Sequence, residues 1–175
     1  MSDSHLSTRL IQTLGISTSL ILSGVVTACS VVAVPRLLES PTPLLLRQWN
    51  NLYAQGKLRI GPLAIIPAFS YFYLAYNEHT AAFPAQWKVN AYTAAGFLAA
   101  AIGPYTWTVM KQTNAKLKIR AAEVTMRSHP DDVVEVAATG YETSHKLLDT
   151  WALLNLGRAV VVASSGVLGV WTALN

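Results

Sequence analysis

The stretch WALLNLGRAVVVASSG, residues 151–166, decides how the rest of the chain is interpreted. It lies in the apolar run 147–174, which is longer than the roughly 20 residues that a helix needs to cross a bilayer, yet it contains Arg158. Trp151, Asn155 and Arg158 recur at i, i+4 and i+7, so on a helix they share one face. Because an isolated charge in lipid is costly, this polar stripe (Trp151, Asn155 and Arg158) is predicted to point into a helical bundle.

The composition supports a single membrane domain over residues 1–175. Of the 175 residues, 52% are hydrophobic and only 13% are charged, whereas soluble domains carry about 25% charge. The net charge is +4, but the basic residues lie at segment edges without interleaved aromatics, so no nucleic-acid partner is expected. Cys29 is the single cysteine, which excludes an internal disulfide and a thiolate metal site.

Four apolar segments predict an all-α, integral membrane four-helix bundle. Their bounds are 10–34, 61–76, 89–110 and 147–174. The first segment is too long for a signal peptide and is followed by further apolar segments, so it is interpreted as a membrane anchor.

Basic residues are distributed unequally between the connections of these spans. The first and third connections hold most of them, while the opposite side has only Arg9 and Lys88. The positive-inside tendency therefore places these two connections in the cytoplasm and both termini in the lumen or outside. We expect a multi-pass protein of the endoplasmic reticulum or another internal membrane.

Both basic connections contain helical patterns. In residues 43–57, Leu45, Trp49 and Leu52 share an apolar face, which predicts an amphipathic helix at the membrane interface with Trp49 and Tyr53 in its aromatic belt. The third connection begins with a cytoplasmic helix. Its apolar positions are Leu117, Ala121 and Val124.

The third connection then contains SHPDD, residues 128–132. Ser128 and Asp131 there resemble a capping box that restarts a helix. Gly140 is predicted to end that helix before the last span.

Two explanations compete for Arg158. It binds a ligand oxygen, or it bonds internally to a carboxylate or to carbonyls freed by a kink. No acidic residue lies at comparable depth in the other three spans, so the ligand interpretation is favoured.

The segment GPYTWTVMKQTN, residues 103–114, is the second dense group of polar residues. Pro104 predicts a kink that frees carbonyls one turn back, and Tyr105, Thr106 and Thr108 are placed to use them. Asn114 lies at the cytoplasmic exit. The alternative is a threonine-supported kink without function. Residues 164–169, SSGVLG, favour close helix packing.

The histidines do not converge on a metal site, because His79 lies across the membrane from His129 and His145. His145 is the candidate for proton transfer, since it comes just before the polar stripe. Its angle around the helix, roughly 120° from the stripe, also fits an interfacial histidine. No nucleophile elbow, phosphate-binding loop or dinucleotide motif is present.

Three motifs together resemble the anthrone oxygenase family of small four-span fungal membrane proteins. They are LLRQWNNLYAQGK at 45–57, PYTWTVMKQTNAKL at 104–117 and WALLNLGR at 151–158. The resemblance covers nearly the whole chain in order and spacing.

The resemblance implies that an emodin-type anthrone is oxidised to the anthraquinone, with molecular oxygen as co-substrate and without metal or flavin. On this hypothesis Arg158 and Asn155 donate hydrogen bonds to the developing oxyanion, and Trp151 and Tyr105 stack on the substrate. His145 is the candidate base. Thr106, Asn114 and Trp49 complete the predicted substrate-binding residues.

Two further interpretations stay open. A protein of the same fold would assist cyclisation or dehydration of another polyketide. A non-enzymatic membrane scaffold would instead hold pathway enzymes through its amphipathic helix and basic connections. A transporter is disfavoured, because four spans offer no inverted pair of broken helices.

Overall fold

The computed structural model describes residues 2–126 and 143–175, and every regular element within these ranges is helical. The α-helices are α1 (Ser2–Ala28), α2 (Val34–Leu38), α3 (Thr42–Arg59), α4 (Ile65–His79), α5 (Gln86–Ala100), α6 (Ile102–Thr108), α7 (Lys111–Met126) and α8 (Ser144–Leu174). A π turn, Cys29–Ala33, joins α1 to α2, and a 3₁₀ turn, Pro62–Ala64, precedes α4.

The first predicted span is longer than expected at both ends. Helix α1, the π turn and α2 form one apolar helix, His5–Leu38, of 34 residues. Pro35 does not end this helix because it lies in the first turn of α2, directly after the π turn, where a missing N–H costs little. The span is therefore interrupted by a widened turn rather than stopped by its proline.

The other predicted spans differ more from the sequence pattern. Helix α4 forms a bent pair with α3, with an angle of 47° between them. The segment 89–110 is divided at Ala101 into α5 and α6, near the carbonyl that Pro104 leaves without a partner. Among the described residues, two helices are long and apolar enough to cross a membrane, or three if the bent pair counts as one span.

Helix α8 is the centre of the molecule and packs against α1 and α5. Small residues allow the close approach, since a Cβ at Gly166 would lie 2.8 Å from Leu20 and one at Gly169 would clash with the Tyr71 hydroxyl oxygen. Ser165 is fully buried and bonds the Ser19 hydroxyl at 3.3 Å. The predicted packing role of residues 164–169 is confirmed.

The two basic connections meet at one end of the molecule, where α3 packs against α7 and both cover the first half of α8. Leu117, Ala121 and Val124 are buried there, as their spacing predicted. Trp49 is also fully buried in this cluster, so its assignment to an interfacial aromatic belt was wrong: α7 and α8 cover the face that the pattern assigned to lipid. The capping box at Ser128 and the stop at Gly140 lie outside the described residues.

Candidate functional site

A cavity of about 590 Å³ lies between α1, α3, α4, α6 and α8. Its lining is mostly apolar, and the polar side chains that reach it come from a few positions in facing helices. They are Arg158, Asn155, Trp151, Thr106, Asn114, Tyr53, Lys57 and Cys29. The volume falls in the roughly 300–1,000 Å³ range of small-molecule sites.

The polar stripe faces this cavity. Trp151, Asn155 and Arg158 all line it, with Trp151 and Asn155 buried and Arg158 half-buried. The prediction that these three residues share a face directed into the protein is confirmed. Their i, i+4 and i+7 spacing on α8 brings them to one wall of the cavity.

Arg158 is held by neutral groups. Its Nη1 donates to the Thr106 hydroxyl at 3.2 Å and its Nη2 donates to Asn155 Oδ1 at 2.5 Å. Its Nε is buried and has no hydrogen-bond partner among residues 2–126 and 143–175. In the part of the chain that the structure describes, no carboxylate pairs with this guanidinium. The explanation that Arg158 is held by a carboxylate therefore finds no support there. Its Nε–H is left as a buried cationic donor beside the cavity.

Asn155 connects Arg158 to the first span. Its Nδ2 donates to the Val26 carbonyl at 3.0 Å and to the Ser30 hydroxyl at 2.9 Å. Since a guanidinium only donates, the amide must present its oxygen to Arg158. Both amide hydrogens are then occupied, so Asn155 is arranged to orient Arg158 rather than to donate to a ligand.

Sequence reasoning missed Ser30 and the π turn in which it lies. Ser30 is buried and accepts from Asn155 where the helix widens. Such widened turns are frequent at functional sites. The available signal was a single serine between apolar residues one turn before Pro35, which does not by itself predict a partner on α8.

Trp151 and Asn114 form a second buried pair. The indole Nε1 donates to Asn114 Oδ1 at 2.9 Å. Trp49 meets the Trp151 ring edge-on, with centroids 6.1 Å apart. These contacts fix the indole plane at the cavity wall, which Asn114 also lines.

Thr106 joins α6 to the site. Its hydroxyl accepts from Arg158 and donates to the Ile102 carbonyl at 2.7 Å. Thr108 bonds the Pro104 carbonyl in the same way at 2.8 Å. The threonines therefore bond carbonyls within α6 rather than those that Pro104 frees one turn earlier, which corrects the sequence expectation.

Three predicted site residues lie elsewhere. The Tyr105 hydroxyl donates to the Leu154 carbonyl at 3.1 Å, which attaches α6 to α8 outside the cavity lining. Trp49 lies behind Trp151 in the core and does not line the cavity. His145 occupies the first turn of α8, about 20 Å along the axis from Arg158 at 1.5 Å per residue.

Titratable groups are few at this site. The ones that line the cavity are Arg158, Lys57, Tyr53 and Cys29, and no aspartate, glutamate or histidine of the described ranges is among them. Within residues 2–126 and 143–175, no group of three or more histidine, cysteine, aspartate or glutamate side chains is arranged to hold a metal ion.

The arrangement suits an oxygen atom that gains negative charge on a flat apolar molecule. Arg158 supplies a fixed cation with one N–H that no described residue accepts, and the neighbouring side chains hold it without neutralising it. In a site that excludes water, such a preoriented donor stabilises developing charge more than it would in water.

Comparisons with known proteins give one family match and several similar proteins. The sequence model of the anthrone oxygenase family matches residues 49–168. An anthrone oxygenase of Emericella nidulans is 38% identical over 104 residues, a match that covers 58% of this chain and about half, 52%, of that relative.

Other relatives match over nearly the whole length. Anthrone oxygenase encC of Aspergillus fumigatus is 29% identical over 94% of this chain and 93% of its own. Monooxygenase hypC of Dothistroma septosporum is 29% identical over 91% of this chain and 80% of its own. No solved structure matches the chain.

Proposed function

The chain belongs to the anthrone oxygenase family, and on this premise we propose that it oxidises a free emodin-type anthrone to the anthraquinone with molecular oxygen in polyketide metabolism. The names of its relatives support an oxygenase. The choice of substrate, and the absence of a metal or organic cofactor, are part of the proposal.

The proposed reaction is chemically balanced. The anthrone CH₂ group loses a proton to give an anthranolate, whose charge spreads onto the ring oxygen and the aryl rings. This electron-rich anion reduces O₂, a carbon–oxygen bond forms, and the peroxide loses water to leave a second carbonyl. One O₂ is consumed, one oxygen atom enters the product and the other leaves as water.

In this proposal Arg158 is the catalytic donor. Its unpartnered Nε and its positive charge stabilise the anthranolate oxygen, which lowers the free energy of forming the anion. Trp151, fixed by Asn114, supplies a flat wall for the tricyclic substrate. Asn155 and Thr106 are positioning residues that hold the guanidinium.

The observation that carries the proposal is the Arg158 Nε, which has no partner among the described residues, beside a cavity with mostly apolar walls. A scaffold protein has no need of such a cavity, and an arginine retained for folding alone would be expected to use all of its buried donors. His145 does not line the cavity. Its role as the base stays a prediction.

The direct test supplies emodin anthrone to membranes with and without the protein, under oxygen and under argon. We expect protein-dependent oxygen uptake and anthraquinone formation that stop under argon. Membranes without the protein correct for spontaneous oxidation. Equal rates with and without the protein, or an equal protein-dependent rate under argon, contradict the proposal.

We also propose that the chain crosses an internal membrane four times, with α4 as the second span and α5–α6, divided at Ala101, as the third. The joint packing of α3 and α7 supports a common side for the two basic connections. At the other end, Trp87 and Trp171 pack with centroids 5.3 Å apart, as in an aromatic belt at the opposite interface. The basic end is then cytoplasmic and the termini are lumenal.

A further inference from the structure

The cavity has an exposed part as well as a buried wall. Phe69 and Trp107 line it and are 70% and 82% exposed. Ile65 and Gly103 line it as well and are also exposed. We call these four residues the lateral mouth, since they come from α4 and α6 and belong to the outer surface.

The lateral mouth is open between its two helices. Helix α4 packs on α5, α6 continues from the end of α5, and α4 and α6 make little contact with each other. A Cβ placed at Gly103 meets no heavy atom within 4 Å. The helices therefore leave a gap beside Gly103 that continues to the wall containing Asn155 and Arg158.

The lateral mouth carries no charged side chain, and its one polar atom outside the backbone is the Trp107 indole nitrogen. Large hydrophobic side chains exposed in a contiguous group are unusual on a surface that faces water. Within a spanning segment, the same side chains meet lipid chains at no cost. Phe69 is the fifth of the 15 residues of α4, about one turn into the helix, and Trp107 lies near the end of α6.

We infer that the lateral mouth opens into the hydrocarbon core of the bilayer and that the substrate reaches Arg158 from the lipid, between α4 and α6. The inference rests on the proposed function and membrane topology. It deepens them by naming a route, which the family assignment does not give.

This route selects a class of substrate. A neutral, flat polyketide dissolves in lipid and passes between aromatic side chains, whereas a carrier-linked thioester or a sugar conjugate carries hydrated groups that are costly to desolvate. The reaction that releases the polyketide from its carrier must then precede this step. Attachment of a sugar or charged group must follow it.

The first test narrows the lateral mouth with Gly103→Phe. The matched control is Gly24→Phe, because Gly24 also has open space around its Cβ and is exposed on α1 without lining the cavity. For anthrone delivered in liposomes, we expect kcat/KM to fall several-fold in Gly103→Phe and to stay unchanged in Gly24→Phe. Gly103→Leu should give a smaller loss.

The second test needs no oxygenase activity, so it separates failure of the route from failure of the proposed function. Cys29 is the only cysteine and lines the cavity. In proteoliposomes, N-phenylmaleimide should label it, a sulfonated and membrane-impermeant maleimide should not, and Gly103→Phe should slow labelling several-fold. Gly24→Phe should label at the wild-type rate, and all variants should label equally in SDS.

Equal labelling by the two maleimides, or equal rates in the two phenylalanine variants, would overturn the lipid route. If Cys29 resists both reagents in the folded protein, the turnover comparison decides. Equal kcat/KM in Gly103→Phe and Gly24→Phe then overturns it.

Discussion

At the residue scale, the central feature is a chain of hydrogen bonds that orients one arginine. Ser30 and the Val26 carbonyl hold Asn155, and Asn155 holds Arg158. Buried polar groups of this kind stabilise a single arrangement when each member is satisfied. The exception is Arg158 Nε, and a substrate oxygen would satisfy it.

Removing the Ser30 hydroxyl should therefore loosen Arg158 without removing its charge. We predict that Ser30→Ala lowers kcat roughly 2- to 10-fold, the effect of about one neutral hydrogen bond, with KM little changed. Ser30→Thr, which keeps a hydroxyl, should recover much of the rate. Steady-state kinetics in membranes at equal protein level provide the measurement.

The matched control is Ser23→Ala on the same helix. Ser23 is buried and bonds the Ala159 carbonyl at 3.0 Å, away from the cavity lining. If both alanine variants lose kcat equally, the loss reflects helix packing and Ser30 has no special role in positioning Arg158.

The sequence predicted the polar stripe because its three members lie on one helix, where spacing alone determines the shared face. It did not predict Ser30, and it assigned Asn155 a donor role that the contacts leave no hydrogen to perform. The hydrogen bonds of Asn155 to Val26 and Ser30 depend on which residues of α1 and the following π turn face α8. Contacts between distant segments are not encoded in local periodicity.

At the element scale, α6 is attached to α8 by a close contact at Gly157. A Cβ at this position would lie 2.5 Å from the Tyr105 hydroxyl oxygen. Gly157 therefore makes room for the Tyr105 bond to the Leu154 carbonyl, and this bond keeps Thr106 within reach of Arg158.

We predict that Gly157→Ala displaces α6 and destabilises the fold by about 1–3 kcal/mol, as overpacking commonly does. Turnover should fall with it. Thermal unfolding in detergent and oxygen uptake provide the measurements, and Gly24→Ala, in open space, serves as the control.

Adding Tyr105→Phe to Gly157→Ala removes the oxygen that the new methyl group meets, so part of the lost stability should return. A double variant no more stable than Gly157→Ala would show that the strain lies elsewhere in the helix pair.

The helical fold and the approximate positions of the apolar segments could be predicted from hydrophobic periodicity. The residues at which the helices begin and end could not. The first helix continues through Pro35 because a π turn precedes it. Helix α3 buries Trp49 because α7 and α8 cover it. An amphipathic pattern identifies an apolar face, but lipid and a neighbouring helix satisfy that face equally well.

At the scale of the whole molecule, the packing of α3 against α7 predicts that the two basic connections lie on the same side of the membrane. N-glycan acceptor tags before Ser2 and after Asn175 should be glycosylated in microsomes, because both termini are expected in the lumen. A tag at Ser40, between α2 and α3, should remain unmodified. The reverse pattern would place the basic end in the lumen and contradict the proposed orientation.

The measurement that tests the central claim most directly is oxygen-dependent turnover of emodin anthrone by Arg158→Gln in membranes, at a protein level equal to wild type. Loss of an oxyanion donor commonly costs on the order of 100-fold in rate, and we predict a fall of about this size with normal membrane insertion. An Arg158→Gln protein that inserts normally and keeps full turnover would contradict the role of Arg158.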